Sequence, residues 1–262
     1  GPVTFNGASD FGPSGLSVST KANIIVSSGA SVTIDGGQLA LDASTSQFQN
    51  AGTVSAGAGS LTITADSVAI QNTLTAEGGI TLQPTTESQA IGLNDLTGGF
   101  NLTAEELGYL ASGGTVTIGA AAGVGAMRIG GAGAVNLSLE NFDFALRGGA
   151  VTFVNRLQLP STRTLTLSTG AVTSAPAGSV DIHVGTLSLA TGGAVGAANN
   201  PLAVDLANLR GAVSGDLFLT ELNQVTIDGP LATGADQTIH LIGGQFILGA
   251  DDRIGDASRI NV

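Results

Sequence analysis

Chemistry in a protein needs ionisable side chains within reach of one another, and the densest such group in these 262 residues is Asp251, Asp252, Arg253 and Asp256. Carboxylates in that arrangement suit acid/base work on a glycosidic bond, where two of them converge on one groove, or a lyase site that adds an arginine base. They also suit a hard cation, which takes oxygen ligands. Gly249 and Gly255 bracket the group as corner residues do. A solvated turn is therefore the plain reading, with a weak calcium site at Asp251, Asp252 and Asp256 as its chemical alternative. No catalytic residue and no organic cofactor is expected.

The remaining candidates are thinner. His183 and His240 are the only histidines. Neither has a second His, Cys or Glu at metal-ligand spacing. Each sits between apolar neighbours, Ile182 and Val184 or Ile239 and Leu241, so alternation puts both on the solvent side of a strand. The glycine-rich stretches Gly119–Gly125 and Gly130–Gly133 are followed by no Lys-Ser or Lys-Thr and open no long helix, so they read as corners and not as phosphate loops. With Tyr109 the sole tyrosine, no tryptophan, and nine phenylalanines better used as core fillers, the chain offers little aromatic platform for a sugar. Asn101, Asn136 and the other Asn residues are candidates for an amide ladder stacked inside the solenoid.

Composition narrows the classes further. Twenty acidic residues against eight basic give a net charge of −12, and the cations Lys21, Arg128, Arg147, Arg156, Arg163, Arg210, Arg253 and Arg259 are scattered. Phosphate neutralisation needs a clustered basic face, so neither nucleic acid nor an anionic membrane is an expected partner. There is no cysteine, which removes disulfides and thiolate zinc sites. No stretch is long and apolar enough for a membrane-spanning helix, so insertion of this segment into a bilayer is not expected. Yet 42% of the residues are hydrophobic, too many for a disordered linker. The chain folds, and it does so with forty glycines and only 11% charged residues.

The elements that must carry these residues are short strands. Ile24-Ile25-Val26, Val32-Thr33-Ile34, Leu61-Thr62-Ile63, Val116-Thr117-Ile118, Leu165-Thr166-Leu167 and Val225-Thr226-Ile227 are among the triplets that recur between Gly, Asn, Asp and Ser. Their spacing is the strongest signal. Leu165-Thr166-Leu167 returns as Leu187-Ser188-Leu189, 22 residues on, and Leu61-Thr62-Ile63 as Ile80-Thr81-Leu82, 19 residues on. Leu217, Phe218 and Leu219 are matched to Ile239, His240 and Leu241, and Val225 to Phe246. A period of about 19 to 22 residues with two or three strands per period is one coil of an all-β solenoid. About a dozen coils at the strand spacing give a rod on the order of 55 to 60 Å long. One segment departs from this pattern. Thr103 and Glu106 form a capping box, which predicts a short helix over about 103–111 inside the segment 102–111, with Leu107, Tyr109 or Leu110 plugging the flank of a coil. Gly1-Pro2 resembles a protease scar left by an expression tag, and residues 3–262 are expected to be one continuous β-helix.

Leu102-Thr103-Ala104-Glu105-Glu106-Leu107 followed by Gly114-Thr115-Val116-Thr117-Ile118-Gly119 resembles a repeat element of the filamentous-haemagglutinin type, the large exoproteins of two-partner-secretion or autotransporter-like export in Gram-negative bacteria. Val195–Leu202 with Leu206, Leu209, Gly215–Leu219 and Val225–Ile227 is a second such phrase, and Ile254–Val262 looks like the opening of a further copy. The resemblance runs from about residue 20 onward. It implies a right-handed parallel β-helix, export to the cell surface, and service as a structural stalk or adhesin segment without enzymatic activity. The partners it implies are a host cell surface, a glycan, other bacterial surface proteins and neighbouring repeats of the same chain. It carries no catalytic residues. The family's amino-terminal secretion domain and carboxy-terminal barrel are not in this sequence, which leaves the route of export open. Two other readings share the fold: a module that binds a glycan or host protein through one flat face, and a polysaccharide-acting enzyme, which needs three or more carboxylates on successive coils.

Overall fold

The computed structural model describes residues 1–175, 180–248, 253–255 and 259–261. It is a right-handed parallel β-helix of about eleven stacked coils with almost no helix. The first four coils are regular, with three strands each. Val3–Phe5, Ala8–Asp10 and Leu16–Ser19 form the first, and Ile24–Val26, Ser31–Thr33 and Gln38–Asp42 the second. Gln47–Asn50, Thr53–Ser55 and Ser60–Thr64 form the third, and Ser67–Ile70, Leu74–Ala76 and Ile80–Gln83 the fourth. Every strand pairs in parallel with its counterpart one coil away, so each face is a ladder running along the rod.

Alternation decides which side chains enter the rod. Along Ser60–Thr64, Leu61 and Ile63 are buried while Ser60, Thr62 and Thr64 are not. In register they stack on Leu39 and Leu41 below and on Ile80 and Leu82 above. Leu165 lies the same way between Phe144 and Leu187. The interior is apolar and largely aliphatic along the described coils. The large side chains Phe48, Phe100, Phe142, Phe144 and Phe153 are fully buried in it, whereas Phe11 is 43% exposed, and Phe218 stacks on His240 on the outside with ring centroids 5.9 Å apart. Corners need backbone that L-residues resist. At the shift in register beside Leu209, Gly211 has φ +124°, and a Cβ there would stand 2.0 Å from the carbonyl oxygen of Leu189.

The coil length departs from the expected 19 to 22 residues. Ile24 stacks on Val3 and Phe48 on Ile24, steps of 21 and 24. Val116 then stacks on Ile80 and Phe144 on Val116, steps of 36 and 28. The step of 36 contains an inserted rung. After Ile80–Gln83 the chain forms Ile91–Leu93, turns back through Asn94–Gly99, and lays Phe100–Leu102 parallel beside it, pairing Ile91 with Phe100 only nine residues on. Parallel neighbours ordinarily need a crossover of a dozen or more residues. Here the chain closes the crossover in six, and the face gains a strand that the next coil, Met127–Ile129, then covers.

The helical expectation is half met. Thr103 and Glu106 do form the capping box, with the Glu106 amide 3.1 Å from Thr103 Oγ1 and the Thr103 amide 2.8 Å from Glu106 Oε2. The helix, however, is only Ala104–Leu107 and not 103–111. Leu110 begins a strand instead, because Leu110–Ser112 must stack on Leu74–Ala76. Leu107 is buried as the plug, and Glu106 Oε1 also accepts the amide of Ile70 at 2.9 Å, which ties the turn to the coil below.

Because Leu165 is fully buried between two large neighbours, Leu165→Ala should destabilise the chain by about 2 to 5 kcal/mol. The outward Thr166→Ala should change it by less than about 0.5 kcal/mol. Denaturant unfolding of both variants, with amide exchange to localise the loss, measures the contrast.

Candidate functional site

Two groups of ionisable side chains stand close together among the described residues. The tightest group is the turn of the inserted rung. Asp95 is 1% exposed; its Oδ1 accepts from the Thr97 amide and hydroxyl, and its Oδ2 from Arg128 Nε at 3.0 Å. Gly131 leaves the room for this, since a Cβ there would stand 2.0 Å from Asp95 Oδ2. Asn94, held at φ +49°, donates to the carbonyl of Gly133, and Asn101 donates to that of Gly98. Burial pushes the Asp95 carboxyl up, but the Thr97 hydroxyl and amide and the Arg128 guanidinium outweigh it, and the pKa ends below its ordinary value. The guanidinium lies against a groove of about 250 Å³ beside the exposed Leu96. Such a clasp closes a turn, with the Asp95 carboxylate engaged by Thr97 and Arg128.

A second group lies along one face. His183 Nδ1 is 2.8 Å from Asp205 Oδ2, one coil apart, and Asn223 Nδ2 donates to Asp205 Oδ1 at 2.9 Å. The carboxylate can only accept, so Nδ1 carries the proton. Asp181, buried two residues before His183, accepts from Ser174 Oγ at 2.7 Å and from the Ala203 amide at 2.9 Å. Glu221 points inward, stacked on Val204. Its Oε1 takes the amides of Leu206, Leu222 and Asn223, and its buried Oε2 has no partner. Desolvation raises the pKa of both Asp181 and Glu221 against the hydrogen bonds that lower it, and Asp205 adds to the rise at Glu221. Asp181, Asp205 and Glu221 do fall on successive coils, but Asp205 faces outward and Glu221 faces the core, so they do not converge on one groove.

The structure places the sequence candidates as follows. Asp251, Asp252 and Asp256 lie outside the described residues. His183 and His240 are outward, as alternation requires, and apart: His183 stacks between Gln158 and Asp205, and His240 on Phe218. Asn101 and Asn136 form no ladder with each other, because Asn101 pairs with Gly92 and Asn136 with Gln158. Among the described residues there is no group of three or more His, Cys, Asp or Glu that could hold a metal, and no helix long and apolar enough to cross a membrane. Two features escaped sequence reasoning. The Asp205 partner of His183 sits one coil step of 22 residues away and was within reach of the period already found. The Asp95 clasp had no such signal, since an aspartate in a Gly-rich turn looks the same whether buried or free. The chain matches no protein-family model, and no curated protein or solved structure is similar to it at a significant level.

Acid should act on these groups in opposite directions. The lowered pKa of Asp95 contributes stability that is complete above the ordinary value of 3.8 and is lost as the pH falls through the folded value. The raised pKa values of Asp181 and Glu221 mean that the folded state holds its protons longer, so stability falls as the pH rises from 3.8 and 4.5 through their folded values. Glu221→Gln should therefore flatten the loss of stability on the rising side, measured by denaturant midpoints from pH 4 upward. Asp95→Ala should cost about 2 to 3 kcal/mol at neutral pH, as charge-assisted hydrogen bonds do. An unchanged midpoint would remove the clasp from any structural role.

Proposed function

We propose that this chain is a structural segment of a large exported bacterial surface protein of the filamentous-haemagglutinin type, a stiff stalk that holds binding regions away from the cell and catalyses nothing itself. The observation that carries this reading is the continuity of the interior. Aliphatic side chains such as Val32, Leu61, Ile80, Val116, Leu165, Leu187, Leu209 and Ile227 are fully or almost fully buried in an unbroken stack of parallel coils. At the strand spacing the stack is roughly 50 Å long.

Such a stack resists bending, because the strands of neighbouring coils are tied to one another by ladder hydrogen bonds. The outer rows support the same reading. They are mostly small and polar, Thr152 and Thr173 for example sharing a hydrogen bond between coils at 3.1 Å, and the net charge of −12 disfavours lateral sticking of strand edges. The glycan-binding alternative needs a built polar pocket. The groove of about 500 Å³ along the corner Thr191, Val213 and Thr233 is lined mainly by Ala, Gly and other small residues, and its floor offers a sugar little to grip. Export and an extracellular location belong to the proposal through the sequence resemblance.

The folded chain should show no saturable binding to a broad glycan array or to whole cells, and should extend only under high force in pulling experiments. Saturable binding that Arg128→Ala or substitutions on another outward row abolish would replace the stalk with an adhesive module. Sugar release or unsaturated products from a polysaccharide panel would replace both with an enzyme.

A further inference from the structure

On either side of the inserted rung three backbone ladders run side by side. On the amino-terminal side Ile24–Val26, Ser31–Thr33 and Gln38–Asp42 are each paired with the next coil. On the carboxy-terminal side Val151–Phe153, Leu157–Gln158 and Thr164–Ser168 are paired in the same way. At the level of the rung two of the three ladders stop. Ser67–Ile70 is the last strand of its sheet, and a new sheet begins above it with Phe100–Leu102. Leu110–Ser112 is the last strand of the second sheet. Among the described residues no strand is laid on its upper side, and Leu139 and Glu140 face it across a groove of about 290 Å³. Only the third ladder is continuous, from Ile80–Gln83 through Thr115–Ile118 to Asp143–Arg147.

Side chains replace part of what is lost. Glu106 Oε1 takes the Ile70 amide at 2.9 Å, and Gln89 Nε2 donates to the carbonyl of Asp66 at 2.6 Å. Each ties a single point where a ladder would tie a whole strand. The apolar interior does run on through this level, with Phe100, Leu102 and Leu107 fully buried, but burial is non-directional and does not replace the lost ladder bonds. Leu110–Ser112 is paired to Leu74–Ala76 and leads directly into Thr115–Ile118, so both belong with the coils on the amino-terminal side. The backbone ladder across this level is then the pairing of Thr115–Ile118 with Asp143–Leu146. In a stack of repeats, stability is the sum of each unit and its interfaces with its neighbours, so the units on either side of the weakest interface open separately.

We propose that this level is a seam dividing the rod into two blocks that open independently. One block is residues up to 83 together with 110–118, and the other is residues 91–102 together with the described residues from 127 onward. The division follows from the ladders, so it holds whether the rod serves as a stalk or as an adhesive module. Denaturant or load then unfolds one block while the other keeps its coils. A rod built this way gives way at one fixed height and not coil by coil from an end.

Amide exchange of the whole chain along a denaturant series tests this. The strands around Leu61 and those around Leu187 should open in two separate steps. Both side chains are fully buried, one in each block. Leu61→Ala should speed exchange in its own block about thirtyfold or more and in the other less than about twofold, and Leu187→Ala should do the reverse. Leu61→Val and Leu187→Val repeat the contrast at about threefold to tenfold, with a smaller cavity that keeps both blocks folded. One cooperative step, in which either substitution speeds exchange in both blocks, overturns the proposal. So does opening coil by coil from one end, or a boundary between the two steps at another level of the rod.

Discussion

The parallel ladder between successive coils is the interaction on which the rest of this structure depends. Each backbone group along a strand is answered one coil away, and that register puts each inward side chain directly over its equivalent. Leu61 must accommodate Leu39 on one side and Ile80 on the other. The volume allowed at a position is therefore set by two residues about one coil distant in sequence, and branched aliphatic side chains satisfy it repeatedly. Burial of each contributes about 1.5 to 3 kcal/mol, and the low aromatic and charged content follows from the narrow interior. No single contact dominates such a stack.

Where the ladder breaks, polar side chains do the work that the backbone cannot. The inserted rung ends in a six-residue return, and Asp95 supplies acceptors for the amide of Thr97 and the guanidinium of Arg128 there. At the shift in register between Val204 and Asn208, Glu221 supplies an acceptor for three amides at once. The capping box of Thr103 and Glu106 answers the free amides at the start of the single helical turn. Buried backbone donors left without partners are costly, and these four side chains stand at three places where the coil geometry would leave such donors. Their perturbed pKa values, where present, record that structural duty and are not by themselves a sign of catalysis.

This division explains what the sequence made legible. The match of Leu165-Thr166-Leu167 to Leu187-Ser188-Leu189, of Leu61 to Ile80, and of Val225 to Phe246 is seen in the register itself, because a regular coil copies its pattern at the coil step. The insertion was not legible, since Ile91-Gly92-Leu93 and Phe100-Asn101-Leu102 carry the same apolar alternation as an ordinary rung and nothing local says that they pair with each other. The helix was overextended for a related reason. Leu107 and Leu110 fit one helical face, but a strand partner 36 residues earlier, Leu74, claims Leu110, and propensity over nine residues does not outweigh a ladder. His183 and Asp205 became a pair only through stacking, which single-strand alternation does not show.

The outward side chains follow the same logic. A binding or catalytic groove on a coil stack requires side chains from several coils to point outward at one place and stay unengaged. Here outward groups are largely spent on their neighbours along the axis, His183 on Asp205, Asp205 on Asn223, Thr152 on Thr173, and Arg128 on Asp95. Bonds of that kind lock adjacent coils in register from the outside, as the aliphatic rows do from the inside. A surface built this way resists sliding of one coil over the next.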